Sequence, residues 1–218
     1  SLPMRINRQL AILNAFSLLT KLQFFGAVAV PFYLHRVGLD YTGMFILETV
    51  FSFSLLVSEI PTGVIADRFG RKLSLSIGSL LFGLSFLIFG LCTNYAVLLA
   101  AEVIGAVGMS LLSGADRALL YEVLREAGKE ADAAKIISRN EAFGTMGMFI
   151  AMPAGSLFVG SGLVPYTAAL GLVFVATAIS LVLGSILVMS VREPERRQST
   201  TSAIQEGIEG FRSIFRNP

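Results

Sequence analysis

Thiol, imidazole and indole side chains are almost missing from this sequence. A single cysteine, Cys92, rules out an intrachain disulfide, a CxxC redox pair and a cysteine-based zinc site. A single histidine, His35, leaves no histidine metal site or haem pair within the chain. Tryptophan is absent, and Asp, Glu, Lys and Arg together make up only 15% of the residues. No serine–histidine, zinc-ligand or paired cytoplasmic carboxylate constellation is present, so the chain does not read as an enzyme. No cofactor, no metal and no nucleic-acid partner are expected. What remains is apolar: 54% of the 218 residues are hydrophobic and the mean hydropathy is +0.73. That exceeds the needs of a soluble core and indicates several membrane spans.

Six spans can be read, over residues 10–34, 41–65, 73–91, 95–119, 142–163 and 165–191. Each is near the ~20 residues that a helix needs to cross hydrocarbon. Open strands would leave backbone groups unpaired in lipid, so the expected fold class is an all-α membrane protein, a six-transmembrane-helix bundle. Arg5 and Arg8 suggest a signal-peptide n-region, but the stretch after them is span-length and interrupted by Lys21, so no cleavable signal is expected. Residues 1–198 form the bundle. In the tail, 199–218, Ile204, Ile208, Phe211 and Phe215 recur at helical spacing, which predicts an amphipathic cytoplasmic linker helix.

Charge placement sets the topology. Fifteen of the 17 basic residues fall before span one, between spans two and three, between four and five, or after six. Only Arg36 lies on the opposite side, and Lys21 is inside a span. Both termini are therefore expected in the cytoplasm. Tyr33, Tyr41, Tyr95 and Tyr166 fall at the outer ends of spans and read as a one-sided aromatic belt.

Between spans two and three lies Gly63-Val64-Ile65-Ala66-Asp67-Arg68-Phe69-Gly70-Arg71-Lys72. Gly63 would let two helix backbones come close, and Gly70 would supply a turn that a side chain obstructs. Asp67 precedes an apolar run whose helix N-terminus favours a carboxylate. Arg68, Arg71 and Lys72 hold this side in the cytoplasm. The decapeptide resembles the loop signature of the major facilitator superfamily, Gly-x-x-x-Asp-Arg/Lys-x-Gly-Arg-Arg/Lys, and Gly63, Asp67, Arg68, Gly70, Arg71 and Lys72 match every defining position. The resemblance implies an N-terminal six-helix half of a secondary transporter. Its first and fourth helices would line a central cavity, and a cytoplasmic linker would lead to a second half. It also implies a latch between Asp116 and Arg71 or Arg68, broken as the halves rock. The partners implied are a small-molecule or ion substrate, the lipid bilayer, and a missing C-terminal half or a second copy of the chain. A bacterial inner membrane is the expected location.

The buried charges carry the rest. Lys21 lies about eleven residues, or ~16 Å, into span one, too deep for easy snorkelling. Asn14, Ser17 and Lys21 share one arc of that helix and should face the bundle interior. Glu48 and Glu102 sit at a similar depth in spans two and four, so a Lys–carboxylate pair near the midplane is allowed, as is a protonated carboxylate carrying protons. Lys21, Glu48, Glu102, Asn14 and Ser17 are the candidate substrate or proton cavity. Glu59 reads as a partner for a cytoplasmic base, and His35 as a surface residue. Spans three and six hold no charge, which fits the resemblance's lipid-facing helices. Gly144, Gly147, Ala151 and Gly155 form a small-residue stripe in span five for close packing. Two departures from the family leave direction and coupling ion open: Glu102 stands where many proton-coupled members carry an arginine, and the Gly-Pro pattern in span five is only partial. The competing reading is a non-transporting scaffold or receptor whose tail docks a cytosolic partner.

Overall fold

A computed structural model describes residues 2–194, with side chains from Ile6 onward. The linker helix expected over 199–218 lies outside the described residues. Among those described there are helices and no strands: α1 (Leu2–Thr20), α2 (Ala29–Pro31), α3 (Tyr41–Phe69), α4 (Arg71–Leu91), α5 (Tyr95–Glu126), α6 (Ala133–Gly160) and α7 (Tyr166–Val188). Five helices are long and apolar enough to cross a membrane by length and composition. α1 and the short turns after it complete a six-helix bundle. Local chemistry sets the helix starts. Asp40 caps α3 through Gly43 N–H at 2.8 Å, and Asn94 caps α5 through Val97 N–H at 3.2 Å. Gly70, at φ 117°, makes the turn between α3 and α4.

Three helices outrun their apolar stretches. α3, α5 and the start of α6 carry Asp67, Arg68, Glu122, Arg125, Lys135 and Arg139 in regular helix beyond the ends read from hydropathy. Hydropathy marks the part of a helix that needs lipid, whereas backbone hydrogen bonding continues into water through good helix formers. We call this the basic end of the bundle and the opposite one, with Tyr33, Tyr41, Tyr95 and Tyr166, the tyrosine end.

The stretch 10–34, read as one continuous span, is not one helix. α1 stops at Thr20, whose hydroxyl donates back to Phe16 O (2.9 Å) and Ser17 O (3.3 Å). Lys21 and Leu22 N–H then reach carbonyls only three residues back. Residues 21–25 are unwound; a 3-10 turn (Gly26–Val28), α2 and a π-helical turn (Phe32–Val37) follow, ending at Gly38 with φ 78°. Phe24 N–H, left without a helical carbonyl, donates to Thr177 Oγ1 on α7 at 3.1 Å. Irregular backbone at membrane depth survives only where protein supplies such a partner.

Packing runs from α3 at one edge through α5, α4 and α7 to α1 and α6. α4, charge-free beyond Lys72, and charge-free α7 are only half peripheral. Leu73, Ile77, Leu80, Leu84, Leu87 and Leu91 form an exposed aliphatic stripe on α4, while its other face is among the most enclosed surfaces of the bundle. At the α4–α5 crossing a β-carbon on Gly108 would stand 2.5 Å from Phe82 N, so only glycine permits that approach. Gly63, expected to serve the same purpose, does not do so among the described residues, where a β-carbon would meet nothing within 4 Å.

The core is divided. At the tyrosine end Val28, Phe32 and Tyr33 pack with Phe86, Phe89, Leu98, Leu170 and Phe174. At the basic end Leu13 and Phe16 pack with Leu75, Leu119, Leu124 and Val188. Between the two lies a layer of small and hydroxyl residues, including Ser76, Gly78, Ser79, Gly108, Ser110 and Ser185, all buried. Ser76 and Ser185 hydroxyls bond at 2.8 Å, and Thr62 and Ser110 at 2.6 Å, tying α4 to α7 and α3 to α5.

Candidate functional site: two charged clusters along one helix

α5 carries both clusters. Glu102, Met109, Ser113 and Asp116 are spaced 7, 4 and 3 residues apart and so fall on one face of it. Fourteen residues separate the two acids, about 21 Å along the axis.

The cluster nearer the tyrosine end is acidic. Glu102 is 7% exposed and lies within electrostatic reach of Glu48 on α3. Tyr33, also 7% exposed, is within reach of both carboxylates, and its hydroxyl has no hydrogen-bond partner among the described residues. Leu47 beside Glu48, Ala101 beside Glu102, and Tyr33 belong to one packed core, and Tyr95 Oη donates to Gly43 O at 3.3 Å, joining α3 to α5 above it. Glu102 makes no ion pair among the described residues. Glu48 faces outward from this bundle. Tyr33, read from sequence as part of an aromatic belt, is instead buried, whereas Tyr41 and Tyr166 are exposed. Position near a span end did not reveal this; the break that turns Tyr33 inward did.

Lys21 does not join these carboxylates. It emerges at the end of α1, and a β-carbon on Gly144 would collide with its side chain, so the chain runs along α6. The acid within its electrostatic reach is Asp116, which also faces Arg117 and Glu141. Arg117 and Glu141 pair at 2.6 Å between α5 and α6. The other members of the Lys21 stripe face the same seam. Ser17 Oγ donates to Asn140 O, and Asn140 Nδ2 donates to Asn14 Oδ1, both at 3.0 Å. Asn14 and Ser17 therefore hold α1 to α6. The Gly144, Gly147, Ala151, Gly155 stripe is the other side of that seam: a β-carbon on Gly147 would lie 2.6 Å from Leu18 O.

At the basic end, Arg71 meets Glu122 rather than Asp116. Arg71 Nε donates to Glu122 Oε1 at 2.8 Å and Arg71 pairs with Asp67 at 3.6 Å. Because α5 continues to Glu126, the acid level with the turn is six residues, ~9 Å, beyond Asp116. Asp67 is in the last turn of α3, and its pair with Arg71 keeps a carboxylate beside the start of α4. Arg71 N–H, at the start of α4, also donates to Glu193 Oε1 at 2.7 Å, so a second carboxylate, from beyond α7, reaches that helix N-terminus. Glu59 is exposed and makes no ion pair among the described residues. Glu122, Glu193, Asn140 and Thr177 carried no sequence signal beyond a charged run or a lone polar residue. At the tyrosine end Arg36 donates to Gly90 O and Thr167 O, both at 2.8 Å, covering a carbonyl in the last turn of α4 and tying it to the first turn of α7. His35 is exposed, with Nδ1 at 3.0 Å from Tyr166 Oη.

A helical bundle with five helices long and apolar enough to cross a membrane, an unwound first segment and charge inside defines an α-helical integral membrane protein. The sequence profile described as Major Facilitator Superfamily matches residues 10–218, and the chain belongs to that family. Among its curated relatives is the Multidrug resistance protein 2 of Bacillus subtilis (strain 168), 28% identical over 187 residues, covering 81% of this chain and 42% of the relative. Another is the Quinolone resistance protein NorA of Staphylococcus aureus (strain MRSA252), 30% identical over 94 residues, covering 43% of this chain and 24% of the relative. The chain thus spans less than half the length of the relatives it matches.

Proposed function

We propose that this chain is the N-terminal half of a secondary active transporter that moves a small solute by alternating access, with proton coupling. The family and its integral-membrane helices support the coarse part of this reading. In this reading the basic end and both termini are cytoplasmic, in a bacterial inner membrane. The exposed faces of α3 and α6 meet the second half or a second copy, across a cavity reached by Lys21, Glu48 and Glu102. The relatives are named for multidrug and quinolone resistance, which supports drug-like organic molecules as the solute class; export is the direction by which moving them would give resistance.

The observation that carries the reading is Glu102. A carboxylate 7% exposed, facing a second acid and lacking an ion pair among the described residues, is costly as an anion. A proton or a cationic group arriving from the cavity relieves that cost, and exchanging the two couples solute to proton. The Arg71–Glu122–Glu193 contacts around the Gly63–Lys72 turn then act as the cytoplasmic latch. Asp116 takes no part in that latch and works with Lys21 deeper in the bundle.

The test is gradient-driven drug efflux by the complete polypeptide in proteoliposomes. Glu102→Gln and Lys21→Gln should each abolish flux while folding and membrane insertion are retained. Flux at wild-type rate in both variants would refute the assignment. A scaffold or receptor would keep its function after both substitutions and lose it on removal of residues 199–218.

A further inference from the structure

Rigid rocking of a bundle moves none of its helices relative to one another. Three features of the first crossing and one of α6 are at odds with a rigid body. It is unwound at residues 21–25. Its two parts belong to different cores, α1 to the basic-end core and Val28, Phe32 and Tyr33 to the tyrosine-end core. Their tethers differ as well. Beyond the break, Arg36 is bonded to Gly90 O and Thr167 O, His35 to Tyr166, and Phe32 lies against Phe174 with ring centroids 4.1 Å apart. All these partners are on α4 and α7 or adjoin them. Before the break, the long-range side-chain bonds from α1, those of Asn14 and Ser17, go to Asn140 on α6.

The fourth feature is in α6 itself. Pro153 interrupts its ladder, because proline donates no hydrogen bond to the carbonyl four residues back. Two residues on, Gly155 packs against the Phe24 carbonyl inside the break. Both members of the α1–α6 pair are therefore interrupted at one level, and that level borders the layer of serine and glycine between the two cores. α4, α5 and α7 run through it without a proline.

We propose that residues 21–25 and Pro153 form a hinge on which α1 and the first part of α6 tilt as a pair. The segment 26–37 stays seated on α4 and α7. The Phe24 N–H to Thr177 Oγ1 bond is the pin, since among the described residues it is the one side-chain hydrogen bond that ties the unwound stretch to the seated helices. Lys21, the first residue past α1, travels with the moving pair while Asp116 stays with α5, so the tilt opens or closes the contact between them. This motion goes beyond the proposed function and does not depend on what is carried.

Spin labels in the complete polypeptide, with Cys92→Ser, test it by pulsed dipolar distances in lipid. Arg8 and Arg139, exposed on α1 and α6, report within the moving pair. Val30 and Thr93 report within the seated part, and Arg8 with Tyr121 on α5 reports across the hinge. Arg8 is twelve residues from Thr20, a lever of ~18 Å, so a tilt of about 10° moves it by ~3 Å. The expected result is two fixed distances and a cross-hinge distance that shifts by this amount between low and high pH. Thr177→Val should broaden the cross-hinge distribution, and Thr177→Ser should restore it. A cross-hinge distance as narrow and constant as the other two in the wild-type protein would overturn the hinge, whether or not the protein transports. If Thr177→Val fails to fold, the wild-type distances and the exchange of amides 21–25 decide alone; exchange as slow as in mid-α4 counts against it.

Discussion

Replacing Gly108 by alanine and, separately, Gly63 by alanine should move stability in opposite directions. A β-carbon on Gly108 would lie 2.5 Å from Phe82 N, 2.8 Å from Gly78 O and 3.1 Å from Leu81 C. These are backbone atoms of α4, which no rotamer change can withdraw. Ordinary contact begins at 3.4 Å, so α4 and α5 must part locally by roughly 1 Å. Such overpacking costs about 1–3 kcal/mol, and the gain from removing a helix-interior glycine returns only ~0.5–1 kcal/mol. A net loss of about 1–2 kcal/mol is expected. At Gly63 the added carbon meets nothing, so only the gain of ~0.5–1 kcal/mol remains. Denaturant unfolding of each variant in detergent, followed by far-UV circular dichroism, separates the two by ~2 kcal/mol. Gly108→Ala as stable as wild type would mean that the two backbones are not in contact. Gly63→Ala less stable than wild type would mean that its face is already packed within this bundle. Loss of flux without loss of stability in Gly63→Ala would place its role at the contact with the second half.

Asn140→Leu should cost about 1–3 kcal/mol, because Asn14 Oδ1 loses its donor inside the α1–α6 seam; equal unfolding midpoints would rule this out. Glu122→Gln should weaken the Arg71 contact and lower stability by roughly 1 kcal/mol, whereas Asp116→Asn should leave the Arg71 contact intact, as cross-linking of cysteines placed beside Arg71 and Glu122 would report. Glu141→Gln should change stability by less than about 1 kcal/mol, and by less still in high salt, since the Arg117–Glu141 side chains are 75% and 42% exposed.

Much of the fold was legible because lipid imposes a strict rule on sequence. Apolar run length and the Gly70 bend translated directly into helices, whereas the caps at Asp40 and Asn94 were seen only in the structure. The small-residue stripe of span five was also legible, since close backbone approach has a compositional signature. The break in the first crossing was not. Its residues, Lys21-Leu22-Gln23-Phe24-Phe25, hold neither glycine nor proline, and what stabilises the unwound state is supplied by Thr177 and Gly155, more than a hundred residues away. Local sequence cannot report a hydrogen-bond partner on another helix.

Depth arithmetic failed for a related reason. Counting residues along straight helices put Lys21, Glu48 and Glu102 at one level, and depth alone suggested an ion pair. Level says nothing about azimuth, and α1 presents Lys21 to α6 while Glu102 faces α3 and the first crossing beyond the break. The resulting separation matters more than the pair would have done. A Lys21–Glu102 bridge would have neutralised both charges within the bundle. Held apart, with Lys21 near Asp116 and Glu102 beside Glu48, the bundle keeps a balanced cluster toward one end and an uncompensated acid toward the other. α5 joins them as one continuous helix, so a change at either cluster is felt at the other only through motion of the helices that face it. The first crossing is the element that touches both, with Lys21 at the end of α1 and Tyr33 beyond the break, and its helix is unwound between the two.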